Sequence, residues 1–138
     1  MTFFETENDL KRENTYKESI EKKINLELVK LPRSYSVDFA AVDSKKVVRY
    51  YIEIKTRKKN SREYTKLIVS SKKIKNMKVL SNVGRIPSFV FFCFPREIKY
   101  IRVDNKHFEE KIFTDPRKRD ETDTEPCVSF AVKDLKLL

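Results

Sequence analysis

Asp38, Glu53 and Lys55 are the residues whose types and spacing suggest chemistry. Glu53 and Lys55 stand in the run Val47-Val48-Arg49-Tyr50-Tyr51-Ile52-Glu53-Ile54-Lys55-Thr56-Arg57, and a strand sends alternate side chains to opposite faces. They therefore share a face with Arg49, Tyr51 and Arg57, while Val48, Tyr50, Ile52 and Ile54 line the other. Asp38 lies in the preceding run, Ser36 to Val42, across the polar stretch Asp43-Ser44-Lys45-Lys46. Two runs rich in β-branched and aromatic residues around such a turn predict a β-hairpin, which can bring the Asp38 carboxylate beside Glu53. Two carboxylates and a lysine on one strand pair suit a hard divalent cation. Magnesium takes oxygen ligands, usually one or two carboxylates completed by water and substrate phosphate. The expected ligands are Asp38, Glu53 and the main-chain carbonyl of Ile54.

The elements that must position these residues follow on either side. Asp9 to Lys23 predicts a helix, with Asn8 or Asp9 as N-cap. On it Glu13 falls on the same stripe as Ile20 and Ile24, where an acid is unexpected unless it has a partner or lies at the stripe's solvated edge. Leu26 and Leu28, alternating with Glu27 and Val29, predict a short strand that Pro32 ends. After the hairpin comes a basic loop, Lys58-Lys59-Asn60-Ser61-Arg62-Glu63, suited to a phosphodiester backbone or simply to solvent. Tyr64 to Val69 reads as a strand or a loop. Lys72 to Val83 predicts a second helix, capped by Ser70 or Ser71 and closed by Gly84, with Ile74, Met77, Leu80 and Val83 as its apolar stripe. Pro87 to Phe94 is an apolar run of strand length, the pattern of a strand buried on both faces. Ile98 to Val103 predicts the next strand. A hairpin linked through a helix to a buried strand needs a crossover, hence a mixed sheet with helices on its faces.

The pattern Val37-Asp38 … Glu53-Ile54-Lys55 at the end of a hydrophobic strand resembles the PD-(D/E)XK nuclease superfamily of restriction endonucleases, junction resolvases and phage nucleases. A valine stands where that family frequently has proline. The predicted order of helix, three strands, helix and strand is similar to the family's restriction-endonuclease-like αβββαβ core, over about residues 10 to 103 of a single α/β domain spanning 1–138. The resemblance implies a Mg²⁺-dependent deoxyribonuclease, an endonuclease rather than an exonuclease, in which Mn²⁺ substitutes for Mg²⁺. It implies catalytic roles for Asp38, Glu53 and Lys55, and a phage or viral origin. It further implies that Glu13, on the first helix, lends an acid to the metal site and that Lys73 approaches the scissile phosphate. Arg57, Lys58, Lys59 and Lys73 are the expected DNA contacts.

Charge agrees with such a partner. Of 138 residues 38% are charged, the formal net charge is +10 and the pI is near 9.6. Each phosphate that a basic protein neutralises releases counterions and strengthens binding. With one histidine, His107, and two cysteines, Cys93 and Cys127, neither an ordinary zinc quartet nor Ser-His-Asp or Cys-His chemistry is expected. No apolar run is long enough for a membrane helix and no secretory leader is evident, so an intracellular, cytoplasmic protein is expected. Lys106 to Phe113 predicts a short helix, Asp115 to Glu125 a charged mobile loop with the basic cluster Pro116-Arg117-Lys118-Arg119, and Cys127 to Val132 a late edge strand. The absence of a separate specificity domain favours structure-selective cleavage, and both a monomer and a homodimer stay open. Two other readings share this composition: a non-catalytic basic nucleic-acid-binding protein on the same fold, and a basic adaptor whose apolar C-terminal tail recruits a protein.

Overall fold

A computed structural model of the chain describes residues 7–112 and 125–138, with side chains from residue 12 onward. The expected lead-in and the 115–125 loop with its basic cluster lie outside the described residues, apart from Glu7, which opens the first helix, and Glu125. The elements are α1 (Glu7–Ile24), β1 (Glu27–Lys30), β2 (Phe39–Val42), β3 (Val48–Thr56), β4 (Lys66–Ser70), α2 (Ser71–Gly84), β5 (Ser88–Cys93), β6 (Ile98–Arg102), β7 (Glu110–Ile112), β8 (Pro126–Ala131) and β9 (Lys136–Leu137).

Six strands form one mixed sheet in the order β1-β2-β3-β5-β6-β9, and three form a second in the order β4-β8-β7. In the larger sheet β3 and β5 run parallel, with Glu53 opposite Val90 and Lys55 opposite Phe92; the other pairs are antiparallel. Parallel neighbours cannot be joined by a tight turn, and here the connection passes through β4 and α2. This is the α/β architecture with a mixed central sheet expected from the sequence.

Alternation along β5 divides the interior. Val90, Phe92 and Phe94 point to a core shared with Ile74 and Met77 of α2 and with Leu67, Val69, Val128 and Phe130 of the smaller sheet. Phe91 and Cys93 point to the opposite core with Ile52, Ile54, Phe39 and Leu28, closed by Ile20 of α1. Each strand of the central pair is thus buried on both faces at its middle, which explains the unbroken apolar run in β5.

Helix α1 stops at Asn25, which takes the left-handed conformation (φ 58°), and the Glu21 carboxylate accepts the Leu28 amide at 2.8 Å, tying helix to β1. The hairpin turn is closed by Asp43, whose Oδ1 accepts the amides of Lys45 and Val47.

Of the two readings left open for Tyr64–Val69 the strand holds, as β4 from Lys66 to Ser70. Three local expectations change. The left-handed residue that ends α2 is Arg85 (φ 55°), with Gly84 still inside the helix. The short helix expected over Lys106 to Phe113 is absent among the described residues of that stretch; Glu110–Ile112 is a strand, because β8 offers it an open ladder from Val128 to Pro126. For the same reason the segment expected at an edge, Cys127 to Val132, supplies the middle strand of its sheet, between β4 and β7.

Candidate functional site

The hairpin register decides the geometry. Phe39 pairs with Ile52 and Ala40 with Tyr51, so one further step sets Asp38 opposite Glu53. There β2 ends while β3 continues, and side chains replace the ladder. The Asp38 amide donates to Glu53 Oε1 at 3.2 Å, and the Ile54 amide donates to Asp38 Oδ2 at 3.1 Å. The Asp38 carbonyl accepts the Leu31 amide at 2.9 Å, which joins the β1–β2 connection to the same point. Each carboxylate is thus oriented by a main-chain amide, and backbone donors carry little conformational freedom to lose.

Glu53 is 2% exposed. Lys55 Nζ lies 3.4 Å from its Oε2 and Lys73 Nζ, from α2, 3.5 Å from its Oε1. Burial raises the Glu53 pKa, the neighbouring Asp38 carboxylate raises it further, and the two lysines oppose the shift without cancelling it. A buried acid pushed towards its neutral form beside a second acid is a pair that a bound cation would relieve.

These residues floor a cleft of about 790 Å³. Glu13 lines it from α1, its Oε1 paired with Lys30 Nζ at 2.9 Å. Arg12, Lys30, Arg33, Lys55 and Lys73 surround the three acids. Among the described residues no group of three or more His, Cys, Asp or Glu could hold a metal ion. Two carboxylates and the main-chain carbonyl of Ile54 are hard oxygens of the kind that could hold a magnesium ion, with water and substrate phosphate completing its shell.

The structure therefore gathers Asp38, Glu53, Lys55, Glu13 and Lys73 in one cleft. It does not bring Arg57, Lys58 or Lys59 there. The Arg57 guanidinium hydrogen-bonds the Thr56 carbonyl at 2.8 Å and the Ile68 carbonyl at 3.5 Å, and lies 5.9 Å from the Phe92 ring centroid. Its partial burial lowers its pKa. Lys58 and Lys59 are exposed on the following loop, outside the cleft lining. Sequence reasoning missed Arg12, Lys30 and Arg33. A signal for Lys30 existed: antiparallel pairing of β1 with β2 sets Lys30 opposite Phe39, next to Asp38.

Three comparisons bear on this arrangement. A family model described as "Phage putative PDDEXK endonuclease" matches residues 2–138. The fold is similar to the solved structure of Archaeoglobus fulgidus Hjc, a Holliday junction resolvase from an archaeal hyperthermophile, with a TM-score of 0.55 at 13% identity over 86% of this chain and 82% of that one. No curated protein sequence matches the chain.

Proposed function

The chain belongs to this family of phage PD-(D/E)XK endonucleases, and from that membership we propose that it hydrolyses DNA phosphodiester bonds internally, in a Mg²⁺-dependent reaction at the Asp38–Glu53 cleft. The observation that carries this reading is that the Asp38 amide holds the Glu53 carboxylate while the Ile54 amide holds the Asp38 carboxylate, which keeps the two acids together beside Lys55. Asp38, Glu53 and the Ile54 carbonyl would hold the ion, with Glu13 at the cleft wall. A divalent cation there would supply Lewis-acid polarisation of the phosphate and a more acidic water.

The protein's own groups do the rest. The Lys55 ammonium, anchored on Glu53 Oε2, orients the attacking water and meets the negative charge that develops on the phosphoryl oxygens. Lys73 stands on the other oxygen of the same acid and reaches the phosphate from α2. Arg12 and Arg33 line the same cleft and position the flanking backbone, a role that carries affinity and orientation rather than base readout.

The test is cleavage of supercoiled plasmid, linear duplex and a four-way junction with Mg²⁺ or Mn²⁺. Wild type should cut in a metal-dependent manner, and Lys55→Ala should lose about 10²–10⁴-fold in kcat with KM little changed. Glu53→Ala should be inactive. Preference for the junction over the linear duplex would assign structure selectivity. Salt-sensitive DNA binding without metal-dependent cleavage would identify a non-catalytic binder instead.

A further inference from the structure

We propose that Lys30 is a positioning residue that holds Glu13 out of the cation site until a substrate phosphate takes its place. The inference rests on the metal-dependent reading above, and its test separates the two.

Glu13 and Lys30 both line the cleft that contains Asp38 and Glu53, yet the acids do not form a three-membered group that could hold a metal ion. Glu13 Oε1 is instead engaged by Lys30 Nζ at 2.9 Å. The ammonium also stands 5.1 Å from the Phe39 ring centroid, beside the residue that carries the site acid Asp38. The two come from different elements, α1 and β1, so their meeting is a product of the tertiary fold. The Lys30 side chain is 58% exposed and that of Glu13 is 24% exposed. An ion pair so open to water is weak and screened, and exchange with a polyanion is easy.

DNA entering the cleft brings phosphates against Arg12, Lys30 and Arg33. A phosphate that engages Lys30 leaves the Glu13 carboxylate available beside the other two acids. Substrate and cation then favour each other: DNA releases the third acid for the ion, and an ion on Glu13 releases Lys30 for DNA. Such coupling is reciprocal by thermodynamic necessity.

The experiment measures binding, apart from turnover, in the full chain. Calorimetric Mn²⁺ titration without DNA is run on wild type, Lys30→Gln, Glu13→Gln and the double variant. DNA affinity is measured for the same four in EDTA across a salt series. Lys30→Gln should bind Mn²⁺ up to about fivefold more tightly than wild type, the range that an exposed ion pair allows. In the Glu13→Gln background the same substitution should change nothing. In EDTA, Glu13→Gln should tighten DNA binding through the released Lys30, and again do so only while Lys30 is present. Lys30→Arg should behave as wild type in both assays.

Equal gains in both backgrounds would mean that Lys30 acts only as one more positive charge, and would overturn the proposal. So would Mn²⁺ affinity indifferent to Lys30 in a wild type that binds Mn²⁺ and cleaves DNA. A wild type that binds no Mn²⁺ would overturn the metal-dependent reading and this inference with it.

Discussion

Lys73 Nζ, on the first turn of α2, lies 3.5 Å from Glu53 Oε1 on β3, so a helix lends a cation to a carboxylate that burial makes reluctant to ionise. Lys55 stands at the other oxygen from the same strand. The two lysines work against burial and against Asp38, which both raise the Glu53 pKa.

Removing Lys73 takes away one of the influences that lower that pKa. The pKa should then rise further, and the acid limb of the pH–rate profile, where Glu53 gains its proton, should move to higher pH. Lys73→Met should show this shift and Lys73→Arg should largely restore the wild-type profile. A limb that stays in place or moves to lower pH would refute the electrostatic role.

The same shift has a stability consequence in the absence of cation. The Glu53 pKa is raised in the folded state above 4.5. Its contribution to folding is therefore fully present below that value and is lost as pH rises through the folded pKa. In EDTA at about pH 7, Glu53→Gln should melt at a higher temperature than wild type, and the difference should vanish in acid. Added Mg²⁺ should stabilise wild type and leave the variant unchanged. Thermal melts at two pH values, with and without the ion, measure both effects.

Cleft and loop cations should differ in how they bind DNA. Arg12→Gln should weaken binding and reduce the slope of log affinity against log salt by about one, as the loss of one phosphate contact does. Lys59→Gln, on the loop outside the cleft lining, should change the slope less. Equal slopes for the two variants would extend the DNA path over that loop.

The two thiols offer a check on the core. Burial pushes the Cys93 thiol up to about 12, whereas Cys127, at the start of β8, is part-exposed and is raised by burial and by Glu125. Alkylation of the native protein should label Cys127 alone, with Cys93 reacting only on unfolding. Mass spectrometry along a urea series reads this directly.

Much of the large sheet could be read from local pattern. The period-two alternation in Val48–Thr56, the polar turn at Asp43–Lys46 and the apolar run of β5 each act within a few residues. The smaller sheet was legible only in part: Cys127 to Val132 reads as a strand and Tyr64 to Val69 as a strand or a loop, but that these segments pair with each other and with Glu110–Ile112 is decided across long stretches of chain. Glu110–Ile112 has all three residues exposed, so no apolar alternation marked it as a strand.

The site divides in the same way. Asp38 and Glu53 meet because the turn after Val42 and a one-residue register shift between Ala41 and Val42 together align the adjacent strands, both within a single hairpin. That Arg57 turns away while Lys73 turns in depends on where α2 packs across the sheet. That Arg12 and Lys30 share a cleft with Glu53 depends on α1 and β1 docking at the same end of β3. The chain order therefore carried the acidic pair and its lysine, since their contacts are local. Only the packing of distant elements chose which of the many remaining cations surround them, because identical lysines and arginines are told apart by position and not by type.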